Sequence, residues 1–270
     1  MTRRTQRPTT PPRAPWGWAL VGTSLGLALV LVLAAPAHWL AWGLALATAQ
    51  RVQLHHAQGT IWDGSAQLSL GTDDAQAPRS ALPGRLAWQL QPSWLGLHVQ
   101  LQAPCCLSGS WDWMLRPQSS GLLVKAQDRN PLQALRLPST VLAGLGTPWN
   151  TLQLQGTLAL STKGLSISMA PGRLNLQGQL QLQALDISTS LSTLRPIGSY
   201  QLRMQGGAEP TLELQTLEGA LQLQGSGRMT SGRLQFAGFA SAAAGREEAL
   251  ANLLNIIGRR DGARSVIQVG

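Results

Sequence analysis

The sequence predicts a mainly β protein: a single N-terminal transmembrane helix, then an antiparallel β-sheet domain (a curved sheet or sandwich-like), with a short C-terminal helix. Three observations predict it. A stretch free of Asp, Glu, Lys and Arg runs from Pro15 to Gln50, leucine alternates with neutral polar residues over most of the chain beyond it, and a helical period returns near the end. The alternation is plainest in LNLQGQLQLQ at 174–183, and LQLQG recurs at 152–156 and 221–225. Successive strand side chains point to opposite faces, so this lettering sets leucine on one face and glutamine or asparagine on the other.

The N-terminal region comes first. Arg3, Arg4, Arg7 and Arg13 lie in a proline-broken tail ahead of WGWALVGTSLGLALVLVLAAPAHW. A helix needs about 20 apolar residues to cross a bilayer core. Trp16 and Trp18 stand at one end of the stretch, Trp39 and Trp42 at the other. Trp18 to Trp39 is 21 residues, about 31 Å of helix. Indole rings prefer the two membrane interfaces, and the basic tail stays cytoplasmic by the positive-inside rule. A cleaved signal peptide is the rival reading, since Ala35-Pro36-Ala37 has the small-x-small form of a cleavage site. The apolar stretch far exceeds a secretory core of about 7–15 residues, which favours an uncleaved anchor. Gly22 and Gly26 form a G-x-x-x-G, the pattern of a close helix–helix face and so of a homo-oligomer contact, although small residues are common in any membrane helix.

Beyond the anchor the period is two. Segments 84–91, 97–103, 150–160, 174–183, 198–205, 211–217, 219–229 and 232–239 alternate, with Gly, Pro and Ser between them. This predicts roughly a dozen strands of an antiparallel sheet with one dry face. Neutral Leu/Gln strands pair readily at their edges, so either a partner covers those edges or the face merely needs to be polar. Pro138–Gly146 reads as a short helix. Gly245–Gly258 reads as a longer one: Glu247 and Glu248 occupy the first turn, Leu250, Leu253, Leu254 and Ile257 make a stripe, and Gly258 closes it. The stripe is expected to pack on the sheet, with a turn at Asp261-Gly262 and a last strand, SVIQV.

The net charge of +9 invites nucleic-acid binding, but the distribution opposes it. Nucleic-acid proteins concentrate cations and expose aromatics for stacking, whereas here the arginines are scattered among only two Phe and one Tyr. Catalytic patterns are absent. There is no G-x-S-x-G, no G-x-G-x-x-G, no phosphate-binding loop, and no serine three residues before Lys125 or Lys163. His38, His55, His56 and His98 supply no chelating pair, since His55 and His56 point oppositely if extended. Asp73-Asp74 lies in a loop, and Asp63 and Asp112 each adjoin a tryptophan. The expectation is no enzyme, with no catalytic, cofactor or metal residues. Cys105-Cys106 is the one oddity: adjacent cysteines close a ring, pair between molecules, or stay reduced and buried. Opposite strand faces work against the ring, and without C-x-x-C a structural or intermolecular role is preferred over redox catalysis.

Several stretches together resemble type II secretion system protein N. They are Pro36-Ala37-His38-Trp39-Leu40, Gly59-Thr60-Ile61-Trp62-Asp63-Gly64, Gly84 through Pro92 around Trp88, Arg195-Pro196-Ile197-Gly198-Ser199-Tyr200, and the terminal LLNIIGRRDGARSVIQVG. The resemblance spans most of residues 15–270 and does not extend to the vicinal cysteines. It implies a single-pass protein of the bacterial inner membrane with three parts: residues 1–15 as cytoplasmic tail, 16–42 as anchor, and 43–270 as a periplasmic β-rich domain. It further implies a non-catalytic accessory role in exporting folded proteins, beside the secretin and the inner-membrane platform. Gly59 and Gly64 are expected to bracket a buried Trp62. Arg259 and Arg260 are expected to follow the helix end, as caps or as contacts. The alternative from another class is a periplasmic lipid-handling protein whose leucine face stays open as a groove.

Overall fold

The computed structural model describes residues 16–71, 80–119, 121–147, 149–171, 173–230 and 233–270, leaving Asp73-Asp74 and the N-terminal arginines outside. Its elements run α1 (Trp16–Leu33), α2 (Ala37–Ala47), β1 (Val52–Gly59), β2 (Asp63–Leu70), β3 (Ser80–Ala81), β4 (Leu86–Ser93), β5 (Gly96–Gln102), β6 (Ser110–Gln118), β7 (Gly121–Ala126) and β8 (Leu135–Pro138). A 3-10 helix (Ser139–Leu145) and the single turn α3 (Trp149–Leu152) come next. Then come β9 (Gln155–Ala170), β10 (Arg173–Ser188), β11 (Gly198–Gln205), β12 (Thr211–Gly219), β13 (Leu221–Thr230), β14 (Arg233–Ala242), α4 (Glu247–Ile257), β15 (Arg259–Asp261) and β16 (Arg264–Val269).

The chain divides into two compact units, 1–35 and 36–270. The first contains α1, which is apolar throughout and long enough to cross a membrane by length and composition. The second contains everything else. The apolar stretch 16–42 is therefore not one helix, because it breaks at Pro36. Proline has no N–H to give and its ring collides with the preceding turn, and the residue before it is pushed out of the helical region. Trp39 and Trp42 belong to α2, which packs on the sheet through Ala37 and Leu40.

Among the described residues every strand pairing is antiparallel, and the sheet runs β1-β2-β4-β5-β6-β7-β9-β10-β11-β12-β13-β14-β16-β15 without closing. Registers carry the leucine face across it. Leu160, Leu182, Leu202 and Leu214 are neighbours in successive strands, and Leu158, Ala184 and Tyr200 form the next row. The described strands belong to one continuous hydrogen-bonded sheet. The 3-10 helix bridges distant parts of its leucine face. Val141 and Leu142 pack against Leu68 and Leu70 of β2 and also against Leu158 of β9 and Leu182 of β10, far along the strand order from β2. A side chain at Gly144 would fall 2.4 Å from the Leu70 carbonyl oxygen, so only glycine lets the plug approach this closely. The expected helix over 138–146 exists in this tighter, shorter form.

α4 covers the leucine face of the later strands. Leu250, Leu253 and Leu254 are buried against Ile197, Tyr200, Leu221 and Ala240. Ser192 Oγ donates to the Ala249 carbonyl at 3.1 Å and Ser265 Oγ to the Leu254 carbonyl at 2.6 Å. One local expectation fails here. Residues 150–154 are not strand: α3 ends at Leu152, and Leu152 joins the α4 core. Gly258 ends α4 as expected, in an extended conformation (φ −164°) from which the chain passes straight into β15 beside β16.

The glutamine face is not uniformly wet. Ser161 and Gln201, which face the same way as Gln181 and Gln183, are buried, and Gln181 Nε2 donates to Gln201 Oε1 at 3.3 Å. Elsewhere, as along β12 to β14, polar side chains alternate outward in the ordinary way.

Candidate interaction surfaces

Of the residues that the sequence raised as chemical candidates, the fold brings together His98 with Asp112 and Cys105 with Cys106. Among the described residues, no group of three His, Cys, Asp or Glu side chains could hold a metal. His55 borders a bulge in β1 that runs to Gln58, and His56 lies within it at φ +51°. His98 Nε2 lies 3.7 Å from Asp112 Oδ1, which also accepts a hydrogen bond from Gln100 Nε2 at 3.0 Å. This is a cross-strand polar cluster with no reacting partner nearby.

Cys105 and Cys106 form a disulfide with each other. A strand would hold the two side chains on opposite faces and oppose the ring, but β5 ends at Gln102 and the pair sits in the following turn, where that geometry does not apply. Cys106 is buried with Leu82, Val141 and Leu158 under the 3-10 plug, while Cys105 is exposed.

The most conspicuous polar construction went unread in the sequence. Arg129 is 5% exposed, and its guanidinium donates to the carbonyls of Ser108 (3.1 Å), Gln133 (2.8 Å) and Ser110. It also stands 5.9 Å from the Trp111 ring centroid. Desolvation by burial lowers its pKa, and the Asp112 carboxylate works in the opposite direction. The role is structural: one cation gathers the carbonyls of two loops at the end of the sheet. Tyr200 is the other perturbed group. Its Oη has no hydrogen-bond partner, and burial pushes its pKa well above the ordinary phenol value.

The motifs that carry the family resemblance are places where chains approach closely. Thr60 Oγ1 accepts from the Trp62 and Asp63 amides, which closes the β1–β2 turn. The indole buried there is Trp88, not Trp62, which is half-buried. Trp88 Nε1 donates to the Ile61 carbonyl at 3.1 Å, and a side chain at Gly64 would fall 2.6 Å from the Trp88 ring. The Gly59–Gly64 and Gly84–Pro92 motifs are therefore two sides of one contact. In the Arg195–Tyr200 motif Gly198 is buried directly against the Tyr200 hydroxyl. In the terminal motif, α4 and its serine contacts form the cap, while Arg259 and Arg260 stand exposed on β15 at the last edge of the sheet. Both arginines follow the end of α4 directly after Gly258, as the sequence predicts. A three-residue charged edge strand discourages further strand pairing.

A family model described as type II secretion system (T2SS), protein N, matches residues 50–267. The chain belongs to the type II secretion system protein N family. The matched span runs from just before β1 into β16 and includes α4, and α1 and α2 precede it. Family membership makes the chain an accessory component of type II secretion. No curated protein and no solved structure matches it.

Proposed function

We propose that the chain is a non-catalytic subunit of the type II secretion machine, held in the bacterial inner membrane by α1 with its sheet unit in the periplasm. The observation that carries this reading is the family match over residues 50–267, nearly the whole sheet unit. Supporting it, α1 is apolar throughout and comes after a tail carrying four arginines, which favours a cytoplasmic N-terminus. The anchor is drawn in to Trp16–Leu33, with 1–15 as the cytoplasmic tail and 36–270 as the periplasmic unit. The partners are the secretin and the inner-membrane platform. Gly22 and Gly26 have open space around them along α1 and supply a homo-oligomer contact in this reading. Changing both to leucine should reduce cross-linked dimer, and an unchanged yield removes the contact.

The lipid-handling alternative draws less support. Its groove would be the leucine face, which is occupied by α4 and by the 3-10 plug. Two hollows among the described residues are lined largely by polar side chains, among them Glu213, Arg228 and Gln235 in one and Asp128, Lys163 and Gln179 in the other.

A strain lacking the protein tests the proposal. Folded exoproteins should accumulate in the periplasm, and the tagged full chain should fractionate with inner membrane and be cut by protease only from the periplasmic side. Normal secretion without the protein would overturn the secretion role.

A further inference from the structure

We propose that the sheet unit seats one end on a lipid surface, through Trp39 and Trp42 of α2 and the Trp94-Leu95 tip of the β4–β5 hairpin. The inference rests on α1 being the membrane anchor. α1 has 18 residues, about 27 Å of helix, which the hydrocarbon core of a bilayer takes up almost entirely. Pro36 comes three residues after Leu33, so covalent continuity alone keeps the Pro36 end of the second unit close to wherever α1 leaves the bilayer.

Four of the exposed large apolar side chains, Trp39, Trp42, Trp94 and Leu95, are carried by the elements at that end. Pro36 bridges to Thr60 in the β1–β2 turn, and the Leu90 amide donates to the Trp62 carbonyl in the same turn. β4 runs antiparallel to β2, with Ala66 opposite Leu86 and Asp63 opposite Gln89. Beyond Leu90 the β4–β5 hairpin therefore projects past the turn, by about 13 Å at Trp94. Ser93 pairs with Gly96, leaving Trp94 and Leu95 as a two-residue tip. Trp94 is 105% exposed and Leu95 66%, where a hairpin turn ordinarily carries Gly, Asn or Asp. On α2, the first turns present Trp39 (50% exposed) and Trp42 (69%) on the side away from the sheet, and Leu46 continues the stripe. No charged residue occurs anywhere in α2.

Three exposed indoles and a leucine in water would be a liability, whereas at a bilayer interface they are the preferred residues. The lipid surface is favoured over a protein partner by the covalent proximity of α1 and by the choice of side chain, since tryptophan supplies three of the four. With no charge among the contacts, seating should be insensitive to salt and to lipid charge.

Full-length protein reconstituted in phosphatidylcholine vesicles, with Cys105-Cys106 left oxidised, tests the inference. Single cysteines W94C, W18C and Q235C are labelled with an environment-sensitive fluorophore and challenged with lipids bearing a nitroxide near the headgroup or deep in the chains. The label at 94 should be blue-shifted and lose most of its emission to the shallow nitroxide, unchanged at high salt, while the label on exposed Gln235 keeps its emission. An unquenched label at 94 beside a quenched label at 18 overturns the seating and leaves the anchor, assigning the tip to a protein partner. An unquenched label at 18 overturns the anchor, whatever position 94 reports. W94S,L95S serves as a second variant: with W39C labelled in that background, quenching at 39 should fall, and undiminished quenching would remove the tip from the seat.

Discussion

α2 and α4 are both eleven residues long, and each packs one side on the leucine face of the same sheet. Their other sides differ completely. α4 buries Leu250, Leu253 and Leu254 and turns Glu247, Glu248, Asn252 and Asn255 outward, as a helix between a core and water should. α2 buries only Ala37 and turns His38, Trp39 and Trp42 outward, with no charged group at any position. A helix apolar all round is expected to be covered on both sides. One sheet thus carries a helix made for water at one place and a helix made for another surface at the other, the latter next to the anchor in sequence. The contrast shows what to expect from substitutions: packing energy concentrates at α4, and contact with the surroundings concentrates at α2.

The largest effect should come from Leu253→Ala. A fully buried leucine truncated to alanine costs about 2–5 kcal/mol, which is much of a domain's net stability. Denaturant unfolding of the detergent-solubilised chain should show the midpoint falling accordingly. A shift under about 1 kcal/mol would mean that the cap packs less tightly than its burial implies.

A smaller effect is expected at Tyr200, within the same core. Its hydroxyl is buried without a partner, so Tyr200→Phe should be neutral or stabilising by about 1 kcal/mol near neutral pH. The folded state holds the phenolic proton where the unfolded state releases it. Stability is therefore fully present below about pH 10 and declines as pH rises through the raised folded value. The Tyr200→Phe protein should lack this alkaline decline; an identical pH profile in both proteins would show that Tyr200 is not its source.

Smaller still is the effect of opening the Cys105–Cys106 ring. Adjacent cysteines enclose no length of chain, so the entropic gain that makes long-range disulfides stabilising is absent. Cys105→Ser with Cys106→Ala should keep the sheet unit β-rich by circular dichroism, with its unfolding midpoint nearly unchanged. Loss of the cooperative transition would make the ring part of the core.

Most of the strand layout was legible, because a period of two survives wherever one face is dry, and α4 was legible because its leucines keep a period of 3.6 against a polar side. What escaped had physical reasons. α2 has no polar side, so hydropathy merged it with α1 although Pro36 marked the break. LQLQG at 152–156 alternates like a strand, yet tertiary packing claims Leu152 for the α4 core, and Gln153 takes φ +45° to let the chain turn. The buried Arg129 gave no signal, since its partners are main-chain carbonyls that sequence does not display. The Trp94 tip did give one: a Trp-Leu pair between Ser93 and Gly96 is an unusual turn.

The contrast between the two helices is tested most directly by the water accessibility of their outer faces in one preparation. Full-length W42C and N255C proteins in phosphatidylcholine vesicles, each with the native ring oxidised and the sheet units outside, are reacted with a membrane-impermeant maleimide. Position 255 should react at the rate of an exposed thiol and position 42 many times more slowly. Equal, fast rates at both positions would contradict the account, because α2 would then present its tryptophans to water just as α4 presents its asparagines.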